Sequence, residues 1–413
     1  MRWLDRLAQE GFQDRVVLVL ERFASDYPQI QAGDEFPRRM ASSVHNLYED
    51  EADGPSAHEM LIAQFPPMVD LRAAIAETSA PLAMRMRAVY YLRTIASEEA
   101  VDVLAAALLD RENTPLMRHE LAYVLGQIRN ARACPTLEAV LADERDDAMV
   151  RHESAEALGA IGEERSLELL QRCAGEPVIE VAETCRIASE FVRWKRRQQA
   201  GGAAAGEAAP IMCACMSPYS SHDPAPADPE FDGLAVAAVG AVLCDPKQQL
   251  FRRYGAMFAL RNRGGEEAVR ALGEALVSDA SSALLRHEVA FVLGQMQHPA
   301  AIEPLSTSLE RTDEHSMVRH ESAEALGAIE GDDAEWARCE EILRRFLSDH
   351  DPVVVESCQV ALDAAAYWQQ EEPTQSSGGG VTGFAELKRM SEKGAGALAD
   401  PVVGHFNIAL EIR

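Results

Sequence analysis

Much of what marks a secreted, membrane-spanning or nucleic-acid-binding protein is scarce in this chain. Cysteine occurs only eight times in 413 residues (134, 173, 185, 213, 215, 244, 339 and 358), too sparsely for a disulfide scaffold. Cys213-Ala-Cys215 has the wrong spacing for a redox pair, and no second close pair completes a zinc site. Small buried thiols in a reducing compartment are the simplest reading. No apolar run approaches the roughly 20 residues that span a bilayer; the longest, Leu234–Cys244, has buried-helix length and contains Gly240. The first residues, Met1-Arg2-Trp3-Leu4-Asp5, carry no apolar signal core. Positive charge is short too: 39 Lys and Arg stand against 67 Asp and Glu, a net charge of −28. That field repels phosphate backbones and attracts polycations, which excludes nonspecific nucleic-acid binding. A soluble, cytoplasmic monomer is expected, with neither nucleic acid nor membrane as partner.

What is present is repetition. Leu116-Met-Arg-His-Glu-Leu-Ala-Tyr-Val-Leu-Gly-Gln127 recurs as Leu284-Leu-Arg-His-Glu-Val-Ala-Phe-Val-Leu-Gly-Gln295, and Met149 to Ile161 recurs letter for letter as Met317 to Ile329. The offset is 168 residues in both cases, and it also aligns Ala88–Arg93 with Ala256–Arg261. The chain is therefore a duplication, and within each half a shorter period of 33 residues appears. Leu121, Val124, Leu125 and Ile128 follow the i, i+3, i+4, i+7 spacing of one buried helix face. Alternating β-branched runs are missing. Paired helices repeating every thirty-odd residues make a HEAT-like solenoid, in which each pair buries its apolar face against its neighbours. The expected fold is all-α, in two duplicated halves of four helix pairs each, over 68–197 and 233–370. Residues 198–232, with Gly-Gly-Ala-Ala-Ala-Gly and alternating prolines, read as a linker that only tethers the halves. Residues 1–67 form an extension with a helical patch at Val16–Phe23 and an acidic turn at Glu49–Gly54. Residues 371–413 form a tail. Neither extension has an internal copy.

The chemistry-bearing residues fall in one motif, present four times: Arg118-His119-Glu120, Arg151-His152-Glu153, Arg286-His287-Glu288 and Arg319-His320-Glu321. One Arg-His-Glu in a helical repeat is ordinarily an ion-paired edge. Four copies in a two-plus-two arrangement are different, because a solenoid must repeat its apolar residues but has no packing need for repeated His-Glu. Successive helical residues stand about 100° apart and packed helices about 8–10 Å apart, so imidazoles and a carboxylate from neighbouring pairs can converge on an ion within each half. Two His plus one carboxylate is a ligand set suited to non-haem Fe(II) and oxygen activation. The arginines read as ion-pairing groups, since guanidinium does not deprotonate. His58-Glu59 lacks the Arg, the following small residues and a partner 168 residues on, and reads as coincidence. Small residues follow each His: Ala122 and Gly126, Ala155 and Gly159, Ala290 and Gly294, Ala323 and Gly327. Glycine inside a helix costs about 1 kcal/mol relative to alanine. Close helix packing explains that stripe; room for an extended substrate beside Gly126 and Gly294, with Met149 and Met317 lining the channel, is the alternative.

Eight HEAT-like repeats carrying Arg-His-Glu-x-Ala-x-x-x-Leu-Gly twice in each half, together with the Tyr219-Ser-Ser-His-Asp-Pro-Ala-Pro linker, resemble the deoxyhypusine hydroxylase family over roughly residues 80–370. The resemblance implies O2-dependent hydroxylation of the deoxyhypusine side chain of the translation initiation factor 5A precursor by two Fe(2+) ions, giving hypusine. It implies that His119, His152 and Glu153 hold one iron and His287, His320 and Glu321 the other. Glu120 and Glu288 would be the catalytic, substrate-facing carboxylates, turned toward the amines. The long extensions at both ends depart from the family pattern. A carboxylate-rich protein suits a side chain carrying two amines. No Gly-x-Gly-x-x-Gly follows a strand, so the reductant is external. A metal-free HEAT-repeat adaptor and a bilin lyase-like protein are the competing readings, and neither gives a reason for the two-plus-two disposition.

Overall fold

The four motif helices begin alike, and their beginnings fix the register of everything that follows. Thr114 accepts from the Met117 N–H at 3.3 Å, Asp147 from Met149 at 2.9 Å, Ser282 from Leu285 at 3.0 Å and His315 Nδ1 from Met317 at 3.3 Å. Each caps a helix N-terminus that would otherwise leave donors unpaired, a contribution of about 1 kcal/mol. In every case the motif histidine stands five residues after the cap, so all four occupy the same place in the second turn. Two of these helices close on non-glycine residues in the left-handed region, Arg129 (φ 56°) and Gln297 (φ 53°), and a third on Gly162 (φ 83°).

The computed structural model describes residues 62, 63, 65–205, 219 and 221–369. The helical patch expected at 16–23, the acidic turn at 49–54, His58-Glu59, Cys213, Cys215 and the tail lie outside them. Two compact units are distinguished: one gathers 1–65, 212–220 and 399–412, of which few residues are described, and the other holds 66–211 with 221–398.

The larger unit contains sixteen α-helices among the described residues and no strand. They are α1 (Met68–Ala76), α2 (Leu82–Ile95), α3 (Glu98–Leu109), α4 (Pro115–Ile128), α5 (Cys134–Ala142), α6 (Ala148–Ile161), α7 (Leu167–Cys173) and α8 (Ile179–Ala205) in the first half. The second half has α9 (Val236–Cys244), α10 (Leu250–Arg263), α11 (Gly265–Ser278), α12 (Ala283–Met296), α13 (Ile302–Glu310), α14 (Ser316–Gly327), α15 (Asp333–Arg345) and α16 (Pro352–Gln369). This is the expected all-α solenoid with four helix pairs in each half. Second helices stack side by side, α2 on α4, α4 on α6, α6 on α8, and likewise from α10 to α16. Leu121, Val124 and Leu125 are fully buried between layers. The halves meet along two seams. At one, α16 lies against α2 and α4, with Arg87 paired to Asp363. At the other, α8 lies against α10 and α12, where the Ser282 hydroxyl donates to Glu183 at 2.7 Å. Cys134, Cys173, Cys185, Cys339 and Cys358 are buried free thiols. Among the described residues no helix is long and apolar enough to cross a membrane.

The inter-half segment does more than tether. Its Ser221–Asp223 stretch is gripped by two glutamines that are equivalents at the 168-residue offset. The His222 N–H donates to Gln127 at 2.9 Å, and Gln295 Nε2 donates to the Ser221 hydroxyl at 2.9 Å. Arg261 donates to both carboxylate oxygens of Asp223 at 2.8 and 2.5 Å, and Phe231 is 1% exposed. The prolines keep this stretch extended, which leaves its polar groups available to cross from one half to the other.

Candidate metal centre

Because α4, α6, α12 and α14 present their histidines at the same height, the four imidazoles converge. Ring centroids lie 5.4 Å apart for His119–His152, 5.3 Å for His287–His320, 5.3 Å for His152–His287 and 5.1 Å for His119–His320. All four are at most 4% exposed. Two groups of ligand atoms gather within 4.8 Å: His119 with His152 and Glu153, and His119 with His287 and His320. The first is the set expected of the first half. The second reaches across the halves through His119, while Glu321 stands 3.7 Å from His287 Nε2.

The donor chemistry fits a metal. All eight ring nitrogens are buried without a hydrogen-bond partner, although a buried polar atom left so ordinarily costs about 1–3 kcal/mol. Carboxylates approach without hydrogen-bond geometry: Glu153 at 3.2 Å and Glu120 at 3.5 Å from His119, and Glu324 at 3.6 Å from His320. Lone pairs aimed at a common space beside carboxylates are what a divalent cation requires. The electrostatics agree. Burial opposes a charge on His119, yet Glu153 and Glu120 outweigh it and hold the imidazole up at about 10. Burial first, then neighbouring imidazoles, push His152 and His287 well below the usual histidine range. One proton therefore occupies a place that a cation can take. Burial first, then neighbouring carboxylates, drive Glu156 and Glu288 well above the usual carboxylate range, so the site is overloaded with acids that a cation relieves.

The motif arginines point away from this centre and clamp the repeats, as their chemistry led one to expect. Arg118, Arg151 and Arg319 each donate through Nε to a carbonyl ten residues back, Leu108, Leu141 and Leu309, at 2.8, 3.0 and 3.0 Å. Each also forks onto a carboxylate of the next repeat, respectively Asp146, Glu176 and Asp349. Arg286 forks onto Glu314 at 2.8 and 2.6 Å. The glycine stripe belongs to packing. A Cβ on Gly126 would stand 2.8 Å from Ala157 Cα, and one on Gly294 3.1 Å from Ala325 Cα. The pocket is lined by His119, Glu120, Tyr123, Glu153, Glu156, His287, Glu288, Phe291 and Glu321. The alternative of Gly126, Gly294, Met149 and Met317 as a substrate channel gives way here: the glycines are consumed by helix contact, and the methionines are 7% and 1% exposed at helix starts, outside that lining.

Several site residues went unread in the sequence. Tyr90 donates to Glu120 at 2.7 Å. Glu156 and Glu324, each four residues past a histidine, share one helix face with it, a spacing that could have been noticed. Tyr123 and Phe291 sit at equivalent places in the repeat and meet edge to face at 6.0 Å.

Comparison with known proteins falls in line with this geometry. The family model described as HEAT repeats matches residues 69–148, 107–188 and 269–363, together more than half of the chain. The PBS lyase HEAT-like repeat matches 252–278. Deoxyhypusine hydroxylase from Homo sapiens is 46% identical over 103 residues, 25% of this chain and 29% of that protein. The enzyme of that name from Gallus gallus is 45% identical over the same length. In these alignments the chain thus spans less than a third of the curated relatives. The solved structure of human deoxyhypusine hydroxylase in complex with glycerol covers 76% of this chain and 100% of its own, with 42% identity and a TM-score of 0.65. Shared repeats, a fold matched along the whole human chain and this identity place the chain in the deoxyhypusine hydroxylase family of HEAT-repeat proteins.

Proposed function

We propose that this protein is a deoxyhypusine monooxygenase: it uses O2 and two Fe(2+) ions to hydroxylate the deoxyhypusine side chain of the translation initiation factor 5A precursor. His119, His152 and Glu153 serve one ion, and His287, His320 and Glu321 the other. The observation that carries this reading is the cluster of four buried imidazoles, none of whose eight nitrogens makes a hydrogen bond, set beside carboxylates; a metal-free adaptor has no use for it. Bound ferrous ions supply the electrons that turn O2 into an oxidant strong enough for an unactivated C–H bond. The remaining tasks fall to the chain. Glu120 and Glu288 receive the ammonium groups of the side chain, with Glu156 lining the same wall. Phe291 offers an apolar surface to the methylenes. Burial of the whole cluster keeps bulk water from the reacting carbon. Reducing equivalents come from an external donor. The protein acts as a cytoplasmic monomer, in keeping with its free thiols.

The test is metal analysis of protein purified without air, paired with binding and turnover of a deoxyhypusine-bearing peptide. About two irons per chain is expected. Glu153→Gln loses iron, because an amide is a poorer donor to a hard cation. Glu120→Gln keeps much of its iron and binds the peptide about ten- to a hundredfold more weakly, the worth of one charge-assisted hydrogen bond. Protein that holds no iron and turns over no peptide sinks the reading. Equal iron loss in both variants refutes the division of roles between the glutamates.

A further inference from the structure

The proposed metal ligands obey the 168-residue duplication, whereas the residues in the pocket walls and directly behind them do not. Position 123 is tyrosine and its equivalent 291 is phenylalanine; position 90 is tyrosine and its equivalent 258 is phenylalanine. The consequence is visible at the two substrate-facing carboxylates. Glu120 accepts a 2.7 Å hydrogen bond from the Tyr90 hydroxyl. Glu288 accepts no hydrogen bond among the described residues, and Phe258, fully buried, has no hydroxyl to offer. Glu156 faces the pocket, whereas its equivalent Glu324 turns to His320 and to the Ser357 hydroxyl, which donates at 3.2 Å. Tyr123 and Phe291, meeting edge to face at 6.0 Å, line the pocket as an unequal pair, one ring bearing a hydroxyl and the other none.

This asymmetry matters for a linear substrate. A two-amine chain laid across a twofold-symmetric site fits in either direction and at more than one depth, so that more than one methylene comes to face the ligands. A hydroxyl-anchored carboxylate is different: its oxygens are fixed in space, and an ammonium group stops where they stop. Resting on the reading of the site as a deoxyhypusine hydroxylase, we propose that Tyr90 is a positioning residue. Through Glu120 it fixes where one amine comes to rest. Together with the Tyr123/Phe291 inequality, it gives the chain one direction and one depth, so that a single methylene is presented to the metal ligands.

Tyr90→Phe removes one oxygen and tests this directly. Expected are iron content equal to wild type, a KM raised about tenfold with a smaller change in kcat, and peptide hydroxylated at more than one carbon by mass spectrometry. Tyr90→Phe combined with Tyr123→Phe makes the walls alike and spreads the product further. Calorimetric binding of spermidine, a polyamine probe that needs no turnover, weakens by the same factor in Tyr90→Phe. Wild-type affinity with a single product position overturns the proposal. Loss of iron also overturns it, since Tyr90 would then hold the fold instead of the substrate. Should the wild-type protein hydroxylate nothing, the functional reading fails. The spermidine ratio then decides Tyr90 alone: weaker binding upholds its grip on Glu120, and unchanged binding overturns it.

Discussion

Gly126→Ala adds one methyl group two helical turns from His119, and its effect follows from the contact it makes. The new Cβ would stand 2.8 Å from Ala157 Cα and 2.9 Å from Ala157 Cβ. Ordinary carbon contacts begin near 3.4 Å, so α4 and α6 must part by roughly 0.6 Å. Ala157 Cα is backbone and cannot swing aside. Overpacking of this kind costs about 1–3 kcal/mol, toward the upper end for a backbone clash. Against this, alanine is the better helix former by about 1 kcal/mol. The net expectation is a loss of about 2 kcal/mol, read from urea unfolding of the metal-free protein. The functional cost is larger, because α4 carries His119 and α6 carries His152. Metal sites tolerate only about 0.2 Å of error in ligand distance, so iron content falls with stability. Gly175→Ala is the control: the nearest atom to its new Cβ would be the Arg172 carbonyl oxygen at 3.8 Å. If Gly126→Ala proves as stable and as iron-replete as Gly175→Ala, the packing argument is wrong. A changed KM with stability and iron intact would return the stripe to the substrate channel.

Arg151→Ala removes 2.9 and 3.0 Å bonds to the Leu141 carbonyl and 2.6 and 2.7 Å bonds to Glu176. With side-chain exposures of 2% and 13%, breaking the pair should cost about 3–5 kcal/mol, checked by chemical denaturation. Arg145→Ala, whose side chain is 88% exposed, should leave the denaturation midpoint unchanged, and equal effects would dismiss the clamp. His222 gives a pH signature: burial first, then Arg129 and Lys195, lower it from 6.5 to about 4, with Asp223 opposing and Arg93 adding slightly. Between those values the unfolded chain binds a proton that the folded chain does not, so stability falls as pH drops through that window and the slope ends below about 4. His222→Gln keeps the backbone bond to Gln127 and should flatten the urea midpoint between pH 6.5 and 4 relative to wild type; parallel profiles would show that His222 is not the group responsible.

The sequence by itself determined the architecture and the four candidate His-Glu pairs, because both are written in local terms. Helix periodicity depends on residues three and four apart, and the 168- and 33-residue repeats are visible without any fold. Four identical Arg-His-Glu strings at equal distances from their caps had to face the same way once the helices stacked. What only the tertiary structure decided were the relations between residues that no local pattern connects. That Gly126 is filled by Ala157, and not by substrate, depends on how closely two helices approach. That Ser221–Asp223 is a strap held by Gln127, Gln295 and Arg261 depends on partners 38 to 95 residues apart, joined by an extended segment whose prolines signalled only the absence of helix. That His119 shares space with His287 and His320 as well as with His152 depends on the two halves closing on one another. The inequality of the walls was in the letters at 90, 123, 258 and 291 all along. It acquired meaning only when the fold set Tyr90 against Glu120 and Tyr123 against Phe291, because a hydroxyl has a role only where folding brings it an acceptor.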